Sequence, residues 1–427
     1  RRRRTMNRVR LMRRSTVRIV LSALLRVVRL VRLAYLVCRP RFLRGFIVSV
    51  VSRSVAGSAV AGSVRIPGRY RTPIPRTLLV VAVLVVAAVA SLVFGSYQMS
   101  PDQVFRLIFQ GEGTEIERQL VLNQRLPRML AAVVVGAALG LSGAIFQSVS
   151  RNALGSPDII GFTVGSATGA LSVVLIGSLS STGVGMGMGA IIGGFATAAV
   201  VMLLAGVRGG ATMGQKMVLI GIAVSAMLSS VNDYLITRGD LEKAEAAKTW
   251  QHGSLNALSW NQVSVQAVLL LVAIPLVLML THRLRVLELG DDLAAGLGLP
   301  VKRTVNLLVA AAVLLVAVAI SVAGPIGFLA LVAPQIARRL WNTPGMAMWH
   351  SALLGSVILV LADFVSARAL APFQIPVGLV TGALGGVYML WWHPVFSVSR
   401  GFAGGFTGFR GRLQNFSEFS QFYPGVD

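Results

Sequence analysis

Val305-Asn-Leu-Leu-Val-Ala-Ala-Ala-Val-Leu-Leu-Val-Ala-Val-Ala-Ile-Ser-Val322 is apolar except for Asn306 and Ser321. As a helix rising 1.5 Å per residue, a run of this length covers about 27 Å, close to the thickness of a bilayer's hydrocarbon core. Backbone amides in lipid must bond within their own segment, so the run reads as a membrane-spanning helix and the fold class as all-α.

Working outward, similar runs recur along most of the chain. Before this span 7, the sequence predicts span 1 at Leu78–Phe94, span 2 at Met129–Ser148, span 3 at Ile159–Leu179, span 4 at Met186–Ala205, span 5 at Met217–Leu235 and span 6 at Val263–Leu280. After it come a shorter run at Gly324–Leu340 (span 8), then Ala352–Val365 (span 9) and Val377–Trp392 (span 10). The expectation is a polytopic bundle of about ten transmembrane helices. Composition agrees: the chain is 55% hydrophobic and only 13% charged, too few polar residues to coat a soluble domain of 427 residues.

The net charge of +25 is unevenly placed. Residues 1–76 hold 20 arginines and no acid, whereas the remainder has 20 Lys+Arg against 15 Asp+Glu. This gives three regions: an Arg-rich extension at 1–76, a transmembrane domain at 77–394, and a Gly/Phe-rich tail at 395–427. The extension reads either as a basic arm on an anionic leaflet or as a segment without a transport role. Nucleic-acid binding would suit its charge, but the attached membrane domain argues against it. By the positive-inside rule it also places the N-terminus in the cytoplasm, and hence the 286–302 loop on the same side.

Glycines at four-residue spacing, Gly136/Gly140, Gly161/Gly165/Gly169, Gly189/Gly193 and Gly382/Gly386, predict close helix–helix approach. Chemistry is sparse. Cys38 is the only cysteine, the four histidines are scattered, and Gly209–Lys216 lacks the Gly-Lys-Ser/Thr of a phosphate loop. No catalytic residue, metal site or cofactor is expected. Asp233 and Asp363 are the ionisable residues nearest the spans, too few for a typical ion-coupled carrier.

Four segments, in order, carry a resemblance. They are Arg125-Leu-Pro-Arg128 with Gly143-Ala-Ile-Phe-Gln147, Arg151-Asn-Ala-Leu-Gly-Ser-Pro157 and Gly161; Trp250-Gln-His-Gly-Ser-Leu255; Leu289-Gly-Asp-Asp-Leu-Ala-Ala-Gly-Leu-Gly-Leu-Pro300; and Val322-Ala-Gly-Pro-Ile-Gly-Phe328, followed by Ala362-Asp363 and Ile375-Pro-Val-Gly378. Together they resemble the iron–siderophore and cobalamin (FecCD-type) permease family of binding-protein-dependent ABC importers, over about Leu78–His393.

The resemblance implies a type II importer permease in the bacterial inner membrane, working as a pair. Its partners would be ATP-binding cassette subunits and a periplasmic or lipid-anchored substrate-binding protein. It implies docking of that protein by Arg125, Arg128 and Arg368, although the family's third arginine aligns with Ala367, one position earlier. The other reading of these arginines is ordinary interfacial anchoring. It implies coupling to the ATPase through Leu289, Gly290, Asp291, Ala294, Leu297 and Gly298, where the other reading is a plain connecting loop. It implies a pathway near Gly143, Gln147, Asn152, Pro157 and Gly161. The chain departs from the family at Ala153, where proline is common, and at Gln335, where histidine is common. It further implies that spans 2–5 and 7–10 are related halves. The cargo expected by frequency is a ferric siderophore, with cobalamin or haem as the alternative. A secondary carrier or channel is the alternative of a different class.

Overall fold

The computed structural model describes residues 74–392, apart from positions 96, 98, 240, 257 and 344 and the stretches 176–182, 207–212 and 370–373. Most of the Arg-rich extension, the C-terminal tail and the first part of Gly209–Lys216 thus lie outside the described residues.

The described chain is helical. In order it forms α1 (Ile74–Val93), α2 (Pro101–Phe109), α3 (Glu115–Leu120), a wide π turn at Val121–Arg125, α4 (Leu126–Ser150), α5 (Phe162–Leu175), α6 (Gly183–Gly206), α7 (Met213–Arg238) and α8 (Leu241–Gln251). It continues as α9 (Trp260–Met279), α10 (Thr281–Leu287), α11 (Asp291–Gly296), α12 (Val301–Ala323), α13 (Leu329–Trp341), α14 (Met348–Ser366) and α15 (Val377–Trp392). Among the described residues, seven helices are long and apolar enough to cross a membrane. They correspond to spans 1, 2, 4, 5, 6, 7 and 9.

Within the described residues the other three expected spans are shorter helices: α5, α13 and α15 have 14, 13 and 16 residues. At 1.5 Å per residue α13 alone does not cover a roughly 30 Å core; α5 and α15 run to the limit of the described residues. α5 and α13 follow irregular segments, residues 151–161 and 324–328, whose backbone is bonded within the protein. Span 8 was expected to be helical from Gly324, but its helix starts at Leu329. Gly324 has φ +68 and its Cβ position falls against the Trp250 carbonyl, so the chain turns there before α13 can begin.

The helices exchange partners in a two-fold pattern. α4 packs on α12, α13 and α14; reciprocally, α12 packs on α4, α5 and α6. The first helix of each half thus packs on the first, second and third helices of the other.

Glycine makes these contacts close. A Cβ on Gly136 would meet the Gly355 carbonyl, and one on Gly140 would meet that of Ser351, so α4 and α14 touch backbone to backbone. Gly165 and Gly169 lie against Gly193 and Gly189 in the same way, joining α5 to α6. Gly382 and Gly386 differ: no atom of the described chain lies within 4 Å of their Cβ positions, and Gly385 instead meets Phe328. Four-residue spacing therefore located the close approaches of α4, α5 and α6 but not that of α15.

Candidate functional site

The structure distributes the expected site residues over two opposite ends of the bundle and the core between them.

One end gathers Arg125, Arg128 and Arg368. The Arg125 guanidinium donates to the Leu92 carbonyl at 2.6 Å, Val93 at 3.1 Å and Tyr97 at 2.6 Å. It thereby caps the C-terminus of α1, where carbonyls lack intrahelical donors. Arg128 reaches Asp363 near the end of α14: Nε lies 3.0 and 2.9 Å from the two carboxylate oxygens and Nη2 lies 2.8 Å from Oδ1. With side chains only 18% and 7% exposed, the pair is shielded and forked. Arg368 lies past the end of α14. Its guanidinium sits 3.9 Å from the Phe364 ring centroid and donates to the Phe364 carbonyl at 3.1 Å. Phe94, Gly95, Phe364 and Arg368 line a shallow cleft there. Partial burial, then the nearby Arg125 and Arg128, push the Arg368 pKa down, while Asp363 opposes them. Of the three guanidiniums, Arg128 takes the Asp363 carboxylate, while Arg125 and Arg368 are held by backbone carbonyls.

The opposite end carries the predicted coupling segment. α10 and α11 are two short helices separated by Glu288, Leu289 and Gly290. Gly290 caps α11 at φ +112 and Gly298 follows it at φ +82, conformations that suit glycine. The Ala294 side chain is fully buried beneath α11, whereas Leu289, Leu293 and Leu297 are 56%, 64% and 67% exposed. Leu293 lies within α11, Leu297 caps its C-terminus and Leu289 precedes Gly290. Asp291 binds Arg151 at 2.6 Å, tying the start of α11 to the end of α4. Glu288 and Leu293 were absent from the sequence-based set. The 289/293/297 spacing was visible, but the contacts of Glu288 were not.

Between the ends, the expected pathway residues sit mainly in protein packing. Gly143, Gln147, Pro157 and Gly161 are buried and Asn152 is half-buried. A Cβ on Gly143 would strike the Ala330 carbonyl at the start of α13. Gln147 Nε2 donates to the Leu331 carbonyl at 2.9 Å, and its Oε1 has no hydrogen-bond partner among the described residues. Gly161, at φ +91, fits against Gly221 and Ser225 of α7. The two positions that depart from the family pattern touch: Gln335 Nε2 donates to the Ala153 carbonyl at 2.7 Å. Asp158, also missing from the sequence-based set, joins this region. It accepts from the Thr163 hydroxyl at 2.6 Å and from the Phe328 N–H at 3.1 Å, connecting the starts of α5 and α13. Among the described residues, no three His, Cys, Asp or Glu side chains gather as a metal site.

A model of the FecCD transport family matches residues 83–393. The chain belongs to the FecCD transport family. It is 41% identical over 313 residues to the ferric enterobactin transport system permease protein FepG of Escherichia coli K12, covering 73% of this chain and 93% of the relative. It is 34% identical to the Fe(3+)-citrate import system permease protein YfmE of Bacillus subtilis, covering 76% of this chain and 96% of that one. The hemin transport system permease protein HmuU of Yersinia pestis is 32% identical, covering 74% and 95%. Among solved structures, an inward-facing metal-chelate type ABC transporter superposes with a TM-score of 0.65 at 29% identity, covering 74% of this chain and 97% of that chain. The FecCD family consists of permease subunits of ABC transporters, which are not themselves enzymes, and this member is a multi-pass membrane protein.

Proposed function

We propose that this chain is the inner-membrane permease subunit of an ATP-driven importer that carries an iron–siderophore complex from a substrate-binding protein to the cytoplasm. The observation that carries this reading is α11: a short helix between two left-handed glycines with three exposed leucines in and beside it, at the end of the bundle opposite the three arginines. An exposed apolar face beside the charged Arg151–Asp291 pair suits a cleft on a partner protein better than lipid. On this reading α11 faces the cytoplasm, a separate ATPase receives Leu289, Leu293 and Leu297, and Gly290 and Gly298 set the angle of the helix. The N-terminus is then cytoplasmic, and the arginine cluster faces the binding protein.

At that outer face Arg368 is the strongest candidate for contact with the binding protein, because Arg128 is neutralised by Asp363 and Arg125 is held by three carbonyls. Excess positive charge there would steer an acidic partner and set its register. The least covered long helices, α7 and α9, with 11% and 17% of their apolar windows buried, leave faces for lipid and for a second permease subunit. Gly143, Gln147, Asn152, Pro157 and Gly161 would then change packing as the pathway opens, rather than line it in the present conformation.

A siderophore cargo is favoured by the FepG relative, which covers most of the described chain. Haem is the second reading, supported by the Yersinia pestis relative. Labelled ferric enterobactin, haem and cobalamin, supplied to a permease-deletion strain complemented with this chain, separate these cargoes; uptake of haem or cobalamin alone overturns the siderophore reading. Proteoliposomes with and without the ATPase test energy coupling, and uptake driven by an ion gradient without ATP would assign the chain to the secondary carriers.

A further inference from the structure

The two short helices at the α11 end need a connection to the long helices if force applied to them is to move the bundle. Glu288, between α10 and α11, supplies one. Its backbone N–H closes α10 on the Leu284 carbonyl at 3.0 Å. Its carboxylate turns inward: Oε1 accepts from the Ser148 hydroxyl at 2.8 Å and from the Met346 N–H at 3.0 Å. Ser148 is buried in the last turns of α4, and Met346 lies in the connection between α13 and α14. A Cβ on the adjoining Gly345 would collide with Glu288 Oε2, so the glycine leaves room for the carboxylate.

One oxygen thus joins the α10–α11 elbow to both halves at once. α4, and α14, which begins two residues after Met346, already touch backbone to backbone through Gly136, Gly140 and Gly355. The Arg151–Asp291 bridge runs in parallel, but with side chains 47% and 52% exposed it is screened by solvent and holds position weakly. The half-buried Glu288 link is the stiffer one.

We infer that Glu288 is the positioning residue that passes displacement of α11 to the α4–α14 pair, acting through the Ser148 hydroxyl and the Met346 amide. The inference rests on α11 being the ATPase contact. Both donors are neutral, so the link requires an acceptor oxygen at this place rather than a negative charge. Glu288→Gln keeps such an oxygen; Glu288→Ala removes it. Gly345→Ala leaves the carboxylate present but pushes it aside.

The experiment compares these variants, with Leu293→Asp, in the full transporter reconstituted with its ATPase and binding protein. ATP hydrolysis and labelled-substrate uptake are read side by side. Glu288→Ala and Gly345→Ala are expected to keep hydrolysis within about twofold of wild type and to lose about tenfold in uptake per ATP, within the range of ordinary coupling between sites. Glu288→Gln is expected to stay near wild type. A Gln variant as uncoupled as the Ala variant overturns the inference, as does normal coupling in both Glu288→Ala and Gly345→Ala. If Glu288→Ala does not assemble, Gly345→Ala and Glu288→Gln decide alone. Leu293→Asp separates the underlying reading: normal ATPase association and uptake there would remove α11 as the contact, whatever Glu288 does.

Discussion

Arg128 and Asp363 lie 235 positions apart and form a forked ion pair that joins the start of α4 to the end of α14. The pair is largely shielded, so losing one member differs from losing both. Removing one leaves the other charged without a partner, which typically costs about 3–5 kcal/mol for buried pairs. Replacing both by apolar residues of similar volume is often neutral.

Arg128→Ala is therefore expected to lower stability by about 3 kcal/mol, read as thermal unfolding in detergent. Arg128→Met with Asp363→Leu is expected to recover most of that loss. If the double variant also binds the substrate-binding protein normally, Arg128 acts in the fold; if it folds but no longer docks, the arginine has a second use at the surface.

Leu289, Leu293 and Leu297 are exposed in and beside α11, and Ala294 lies buried in the same helix. Leu293→Asp should abolish association with the ATPase while leaving the melting temperature of the isolated permease within a few degrees, since surface changes are usually worth less than about 0.5 kcal/mol. Ala294→Asp should lower both, because it forces a charge under α11. Pull-down with the ATPase and a melting curve on each variant check the contrast.

Gly143 and Gly382 differ in their surroundings though both lie within helices. A methyl group at 143 would strike the Ala330 carbonyl, whereas at 382 it would meet open space. Gly143→Ala is expected to cost about 1–3 kcal/mol through forced backbone shifts, and Gly382→Ala to leave stability unchanged or slightly raised. Expression and thermal unfolding of both variants give the comparison.

Asp158 holds the starts of α5 and α13 together through one hydroxyl and one backbone amide. Asp158→Ala leaves the Phe328 N–H without this acceptor, at a cost of about 1–3 kcal/mol if water does not replace it. Hydrogen–deuterium exchange should show faster exchange at Phe328 and neighbouring amides of α13, while α12 stays protected. Unchanged protection around Phe328 would count against this bridge.

The helices were legible in the sequence to the extent that length decides them. Val305–Val322 and the other long apolar runs became α1, α4, α6, α7, α9, α12 and α14. α5 and α13 were legible as apolar, and span 8 as the shorter run, but their starts at Phe162 and Leu329 were not, because the residues before them are irregular backbone bonded inside the protein. Glycine spacing marked Gly136, Gly140, Gly165 and Gly169 as contact points without naming the opposing helix. The site residues were read by motif and side-chain type. Arg125 and Arg128 stood out as charges near a helix start, but their carbonyl and carboxylate partners come from distant segments that no local pattern connects. Glu288 and Asp158 were missed for the same reason, since both act on donors more than fifty positions away.

The peptide-to-peptide contacts of α4 with α14, and of α5 with α6, also restrict how the molecule can move. Where glycines bring the backbones together, neither helix of a pair can glide lengthwise unless its carbonyls climb over those opposite, and a matching seat returns only after a full turn of about 5.4 Å. Each pair is thus a hinge leaf rather than a piston. Rocking between leaves is the inexpensive motion, and it falls on the seams that side chains fill, such as those where α12 meets α4 and α6.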